Sequence, residues 1–104
     1  MISEHLEFRK KGDLESDLAR NYHENIVIIT NHGNFKGHDG IRASNKILQD
    51  IIPSSKFKII SLLFEKDIAF EFWEAKVNNK VLRGIDTFFV KRGKIRIQSA
   101  VYPI

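Results

Sequence analysis

The stretch Leu82-Arg83-Gly84-Ile85-Asp86-Thr87-Phe88-Phe89-Val90 decides how this chain folds. Read as a strand, it places Leu82, Gly84, Asp86, Phe88 and Val90 on one side of a sheet. That side is apolar except for a single carboxylate. A buried, unpartnered charge costs on the order of several kcal/mol, so Asp86 must be paired, hydrogen-bonded or protonated. Packed cores seldom accept such a group, whereas pockets use one.

Working outward from this strand, the second half of the chain reads as four strands at 56–64, 68–77, 80–90 and 94–102. Asn78-Asn79 and Arg92-Gly93 serve as two-residue hairpin turns. Strands joined in this way form an antiparallel meander. The first half reads as helical. One helix runs from Ser3 to a Lys10-Lys11-Gly12 stop, and a second starts at an Asp13 N-cap with Leu14, Leu18 and Tyr22 on its apolar edge. The run Ile26-Val27-Ile28-Ile29 reads as a strand within Asn25–Thr30, Asn31–Asn34 as a turn, and Phe35-Lys36 as a short strand. A third helix spans about His38 to Ile52 and is stopped by Pro53. Helices first and a meander last give an α+β fold, with N-terminal helices packed on one face of a curved antiparallel sheet.

Register follows from the turns. With Asn78-Asn79 as a two-residue loop, Ala75 faces Leu82, Trp73 faces Gly84, Glu71 faces Asp86 and Ala69 faces Phe88. On the other side Glu74 faces Arg83 as a cross-strand ion pair. With Arg92-Gly93 read the same way, Ser99 lies opposite Asp86, Ile97 beside Phe88 and Val101 beside Gly84. The inner face is then apolar around a cluster of Glu71, Asp86 and Ser99. The outer face carries Phe70, Phe72, Ile85, Phe89, Ala100 and Tyr102 within a charged rim, the composition of a dimer interface. Two carboxylates facing each other across a ladder repel when both ionise, so one of them has a raised pKa. That makes Asp86 a candidate acid or base, with Glu71 beside it. The alternatives are that Asp86 caps a helix or accepts backbone N–H bonds, and that Glu71 sits at a wet, open end.

The 104 residues suffice for one domain, 1–104, with a real core. With 42% apolar and 29% charged residues, the composition is that of a globular protein rather than a disordered one. The absence of cysteine rules out disulfides, thiolate metal sites and a cysteine nucleophile, and it suits a reducing cytoplasm. No stretch approaches the roughly 20 apolar residues of a membrane span, and the first residues lack the pattern of a signal peptide. The net charge of +4 raises nucleic acid as a partner. Its carriers are scattered, however: Arg9, Lys10 and Lys11; Lys56 and Lys58; Lys91, Arg92 and Lys94. Helix and strand ends account for them without a nucleic-acid surface. His5, His23, His32 and His38 show no metal-ligand spacing. His32 lies in a turn near the pocket mouth, Tyr22 can reach into the pocket with its hydroxyl, and Trp73 and Phe88 form its walls.

Several of these features, taken in order, resemble the nuclear-transport-factor-2-like superfamily. They are Gly12-Asp13-Leu14 leading to Tyr22; the strand Ile26–Thr30; Gly37 ahead of Gly40-Ile41-Arg42; Gly84-Ile85-Asp86-Thr87-Phe88-Phe89; and Arg92-Gly93-Lys94-Ile95 before a closing strand that ends in Tyr102. The nearest resemblance is to SnoaL-like and ketosteroid-isomerase-like single domains. It implies a cone-shaped fold with a mostly apolar pocket, dimers formed through the outer sheet face, and chemistry without metal or cofactor. Asp86 matches a strand position that carries a catalytic acid in some of these enzymes. The epoxide hydrolases of the superfamily have an arginine where this chain has Gly84, and a second acid near the end that Ala100–Ile104 lacks. Two functions are therefore expected of the chain. One is a pocket for a hydrophobic small molecule, with cyclase, isomerase or dehydratase proton transfer by Asp86 and Glu71, lined by Tyr22, Trp73, Phe88, Ser99 and His32. The other is a non-catalytic binding or interaction module that dimerises through the outer face.

Overall fold

The computed structural model describes residues 1–53 and 56–104. Helix α1 (Ile2–Lys11) ends where Gly12 takes a left-handed conformation, φ 75°, and returns its backbone N–H to the last turn. Asp13 then caps α2 (Leu14–Asn21), its carboxylate accepting the Ser16 N–H at 3.2 Å. Strand β1 (Tyr22–Thr30) follows without a break and turns into β2 (Gly33–Lys36), after which α3 (Gly37–Ile51) crosses back. The meander is β3 (Phe57–Glu65), β4 (Ile68–Val77), β5 (Lys80–Lys91) and β6 (Lys94–Val101). Both hairpin turns have left-handed residues, Asn78 and Asn79 at φ 51° and 65°, and Arg92 and Gly93 at 53° and 74°. These are the geometries that two-residue loops require.

The six strands form one open sheet in the order β2-β1-β6-β5-β4-β3, and the helices pack on one of its faces. The expected α+β fold with helices on a curved sheet is therefore present. Its pairings are antiparallel except at one seam, where β1 runs parallel to β6. That seam exists because the β1–β2 hairpin and α3 carry the chain across the sheet before the meander begins. Tyr22 is thus the first residue of a strand and not the last of a helix.

The β4–β5 register is as expected: Trp73 opposite Gly84, Glu71 opposite Asp86, Glu74 opposite Arg83. Burial alternates residue by residue along both strands, which fixes the inner face. The β5–β6 register differs from expectation by one residue. Val90 pairs with Ile95 but Phe89 pairs with Ile97, so Arg96 is an extra residue in the ladder, a β-bulge. Beyond it every side chain of β6 changes sides. Gln98, Ala100 and Tyr102 are buried, while Ile97 and Val101 are about half exposed on the outer face. Ser99 faces outward and hydrogen-bonds Thr87. The inner cluster of Glu71, Asp86 and Ser99 is corrected to Glu71, Asp86 and Gln98.

Two packed clusters hold the layers together. One joins Leu18 and Ile26 to Ile41, Phe88 and Ile95; the other joins Ile52 and Trp73 to Ala100 and Tyr102. No helix among the described residues is long and apolar enough to cross a membrane.

Candidate functional site

Asp86 is reached from four elements. Gly84, two residues before it, lies under the indole of Trp73: a Cβ at this position would fall 2.0 Å from the Trp73 ring. The missing side chain lets the indole lie across β5, and its Nε1–H donates to Asp86 Oδ1 at 3.0 Å. The bulge in β6 delivers Gln98, whose amide donates to Oδ2 at 3.0 Å. Gln98 Oε1 in turn accepts the Tyr22 hydroxyl at 2.8 Å. The carboxylate is therefore held by uncharged side chains, not by a helix end or the backbone.

The cation nearby is Arg9 of α1. Its guanidinium grips both oxygens of Glu71, one of them at 3.1 Å, and lies 3.9 Å from Asp86 Oδ2. Its Cζ sits 4.9 Å from the centre of the Phe57 ring. Glu71 has no exposed surface, which excludes the wet-end alternative. Burial pushes the Glu71 carboxyl above its usual range; Arg9 opposes this and Asp86 adds to it. Burial works against the charge of Arg9, but Glu71 and Asp86 more than offset it. The Tyr22 phenol is pushed well above its ordinary value, first by burial and then by Asp17 and Asp86, so it stays a donor.

A cavity of about 230 Å³ opens beside this cluster. Asp86, Gln98, Tyr22, Arg9, His5 and Asp17 contribute its polar wall, and Ile28, Ile41, Leu48 and Ala100 belong to its apolar part. The lining is mixed, not mostly apolar. Tyr102 also lines it; burial raises its phenol pKa, against a contribution from the neighbouring Ser44 hydroxyl.

Of the residues expected from sequence, Asp86 and Tyr22 line the cavity, and Glu71 stands behind Arg9. Trp73 does not line it but touches Asp86 from the core, and Phe88 is fully packed. His32 is away from it, in the β1–β2 turn, with Nε2 at 2.7 Å from the Tyr102 carbonyl. Ser99 is on the other face. Sequence reading missed Arg9, Gln98, His5 and Asp17. His5 Nδ1 lies 2.7 Å from Asp17 Oδ2, and Asn21 donates to Asp17 Oδ1 at 2.8 Å. The signal for the last pair was present: Asp17 and Asn21 are one helical turn apart, beside Leu14 and Leu18.

No protein-family model matches the chain, and no curated protein matches its sequence. Solved structures do resemble it. An uncharacterised protein with a cystatin-like fold from Silicibacter pomeroyi superposes with a TM-score of 0.81 at 19% identity, covering 99% of this chain and 73% of that one. A nuclear-transport-factor-2-like protein of unknown function from Burkholderia xenovorans gives 0.77 at 12%, covering 98% and 79%. A putative polyketide cyclase from Sinorhizobium meliloti gives 0.77 at 11%, covering 95% and 91%. At such identities the likeness is one of fold: this chain has the nuclear-transport-factor-2-like fold shared with SnoaL-like polyketide cyclases.

Proposed function

We propose that this chain binds a compact small molecule in the cavity and moves a proton on it, with Asp86 as the acid–base group and Glu71 acting on it through Arg9. The observation that carries this reading is a carboxylate on a cavity wall, fixed through both oxygens by the side chains of Trp73 and Gln98. A group held in this way is oriented before any ligand arrives, which is what proton transfer needs. The resemblance in fold to a putative polyketide cyclase is consistent with such chemistry.

Size narrows the ligand. An apolar cavity of about 150 Å³ holds benzene, and drug-sized ligands occupy about 300–1,000 Å³. At about 230 Å³ the cavity suits one or two rings. Its mixed wall suits a ring system carrying oxygen substituents. The expected hydrophobic ligand becomes an amphiphilic one in this proposal.

A second reading, a binding module without catalysis, is favoured by one fact: both Asp86 oxygens already have donors. One experiment separates the two. Wild type and Asp86→Asn are presented with a panel of one- and two-ring ketones and hydroxyketones, binding followed by ligand-observed NMR and products by mass spectrometry. Proton-transfer catalysis requires a product that Asp86→Asn forms at least about tenfold more slowly while still binding. Binding with no product in either protein establishes the module.

The outer sheet face is proposed as a homodimer interface. Leu63, Ile68, Ile97 and Val101 are about half exposed or more there, around half-buried Phe70, Phe72 and Phe89. A cysteine-free protein of this kind is proposed to work in the cytoplasm.

A further inference from the structure

The wall around Asp86 is negative in a chain that is positive as a whole. The net charge is +4, yet Arg9 is the one lysine or arginine among the described residues lining the cavity, against Asp17 and Asp86. Arg9 is already engaged: its guanidinium grips both oxygens of Glu71 and stands 3.9 Å from Asp86 Oδ2. The donors on Asp86, Trp73 and Gln98, are uncharged, and so is the Asn21 amide on Asp17. His5, on the other Asp17 oxygen, cancels its charge only when protonated. While Asp17 and Asp86 are ionised, no combination of protonated Glu71 and protonated His5 makes this cluster positive.

Uncharged donors orient a carboxylate without discharging it. An ionised carboxylate offers about four lone-pair sites, and Trp73 and Gln98 each occupy one. Asp86 lines the cavity with 8% of its side chain accessible, so a donor brought by a ligand has an acceptor to reach. Neighbouring groups feel the same field. Burial is the largest cause of the raised pKa of Tyr22, Glu71 and Tyr102, and Asp86 adds to it in each. Burial opposes the charge of Arg9, and Glu71 and Asp86 overcome it. Asp86 thus pulls all four toward their proton-bound forms, and a proton is the smallest cation.

We propose that the ligand of this cavity is a cation, an ammonium group on a skeleton of one or two rings, with Asp86 as its counter-ion. The proposal rests on the reading of the cavity as a small-molecule site and adds the charge of what it takes. The ammonium donates to a remaining lone pair of Asp86, in a site partly shielded from water, where opposite charges attract more strongly than in bulk solvent. The ring carbons lie against the apolar part of the wall, Ile28, Ile41, Leu48 and Ala100. A ligand carboxylate or phosphate meets two ionised carboxylates and an arginine held by Glu71, and like charges brought together select against it. A neutral hydroxyl reaches the same lone pair but brings no charge, and the hydrogen bond between ionised partners is the stronger one. Asp86 selects its ligand by charge whether or not it then moves a proton.

The test compares three probes of one shape, 2-aminoindane, 2-indanol and indane-2-carboxylate, by calorimetric titration of the full chain at neutral pH. The amine is expected to bind at least about tenfold more tightly than the alcohol, the scale of a hydrogen bond to a charged group, and the carboxylate most weakly. Asp86→Asn is expected to erase the advantage of the amine while the alcohol still binds. The single tryptophan supplies a reporter in the wild type. Its indole N–H donates to Asp86 Oδ1 and is expected to move upfield by NMR as the amine saturates the protein, because a cation on the carboxylate weakens that bond. Equal affinity for amine and alcohol, or tighter binding of the carboxylate, overturns the charge assignment and leaves the cavity as a small-molecule site. An amine preference that survives Asp86→Asn removes Asp86 as the counter-ion and overturns the proposal. If none of the three probes binds but ketones of the panel above do, the charge assignment alone fails; if neither set binds, the reading of the cavity fails with it. If Asp86→Asn does not fold, the wild-type ranking and the indole signal decide, and an amine preference with an unmoved indole overturns the proposal.

Discussion

Gly84 has no room for a methyl group, because the Trp73 indole occupies the space a Cβ would take. Gly84→Ala must push the indole away from Asp86. The expected cost is about 1–3 kcal/mol, the range for overpacking a core, together with loss of the slow hydrogen exchange of the indole N–H. Urea unfolding and NMR exchange measure both; unchanged stability with a protected indole would refute the account. Glu71 supplies the second residue-scale prediction. Its carboxyl is raised in the folded protein, above the 4.5 of the free group, so the native state binds more protons than the unfolded one. Stability from this group is present in full below pH 4.5 and is lost as pH rises through the raised folded value. Glu71→Gln should therefore remove a fall in stability just above pH 4.5 and leave the profile rising more steeply there than that of the wild type, as read by urea unfolding at stepped pH. A wild-type profile rising as steeply as that of the variant would contradict it. The pairing of Glu71 with Asp86 was legible in the sequence, since alternation and a two-residue turn set it. Its Arg9 partner was not, because 62 residues separate the two.

At the scale of elements, β6 decides the chemistry of the site. The Arg96 bulge turns Gln98 inward to Asp86 and sends Ile97 and Val101 outward. A regular ladder from the Arg92-Gly93 turn does the opposite, which is why alternation alone puts Ser99 in the wrong place. The hydrophobic pattern carries a weak trace of the bulge: Ile95 and Ala100, both buried, are five residues apart, an odd spacing for one face. Deleting Arg96 should leave Val90 on Ile95 and Phe89 on Ile97 in a regular ladder, with Gln98 still inside. The variant is expected to fold, and its Gln98 amide protons should stay slow to exchange by NMR. An exposed, fast-exchanging Gln98 amide would show that the bulge is not what sets the face. The helices were readable because caps are local: Gly12 and Asp13 punctuate α1 and α2 whatever the rest of the chain does.

For the whole molecule, the bulge makes the face away from the helices more apolar than a regular ladder would. Ile97→Lys places a charge at 49% exposure on this face, away from the cavity wall. Sedimentation velocity at micromolar concentration is expected to give a wild-type dimer and a variant monomer with unchanged helical content. A monomeric wild type, or a variant that stays dimeric, removes the interface. The sequence by itself determined the two-part α+β layout, both hairpins, and the placing of a carboxylate on the inner face of β5. All of these depend on periodicity and turn chemistry within a few tens of residues. Only the tertiary structure decided which groups surround that carboxylate. Arg9 reaches it, and His5 and Asp17 reach the same cavity, through the packing of α1 and α2 on the sheet, and Gln98 reaches it through one extra residue in a strand. Such placements depend on contacts between distant segments, which no local pattern encodes.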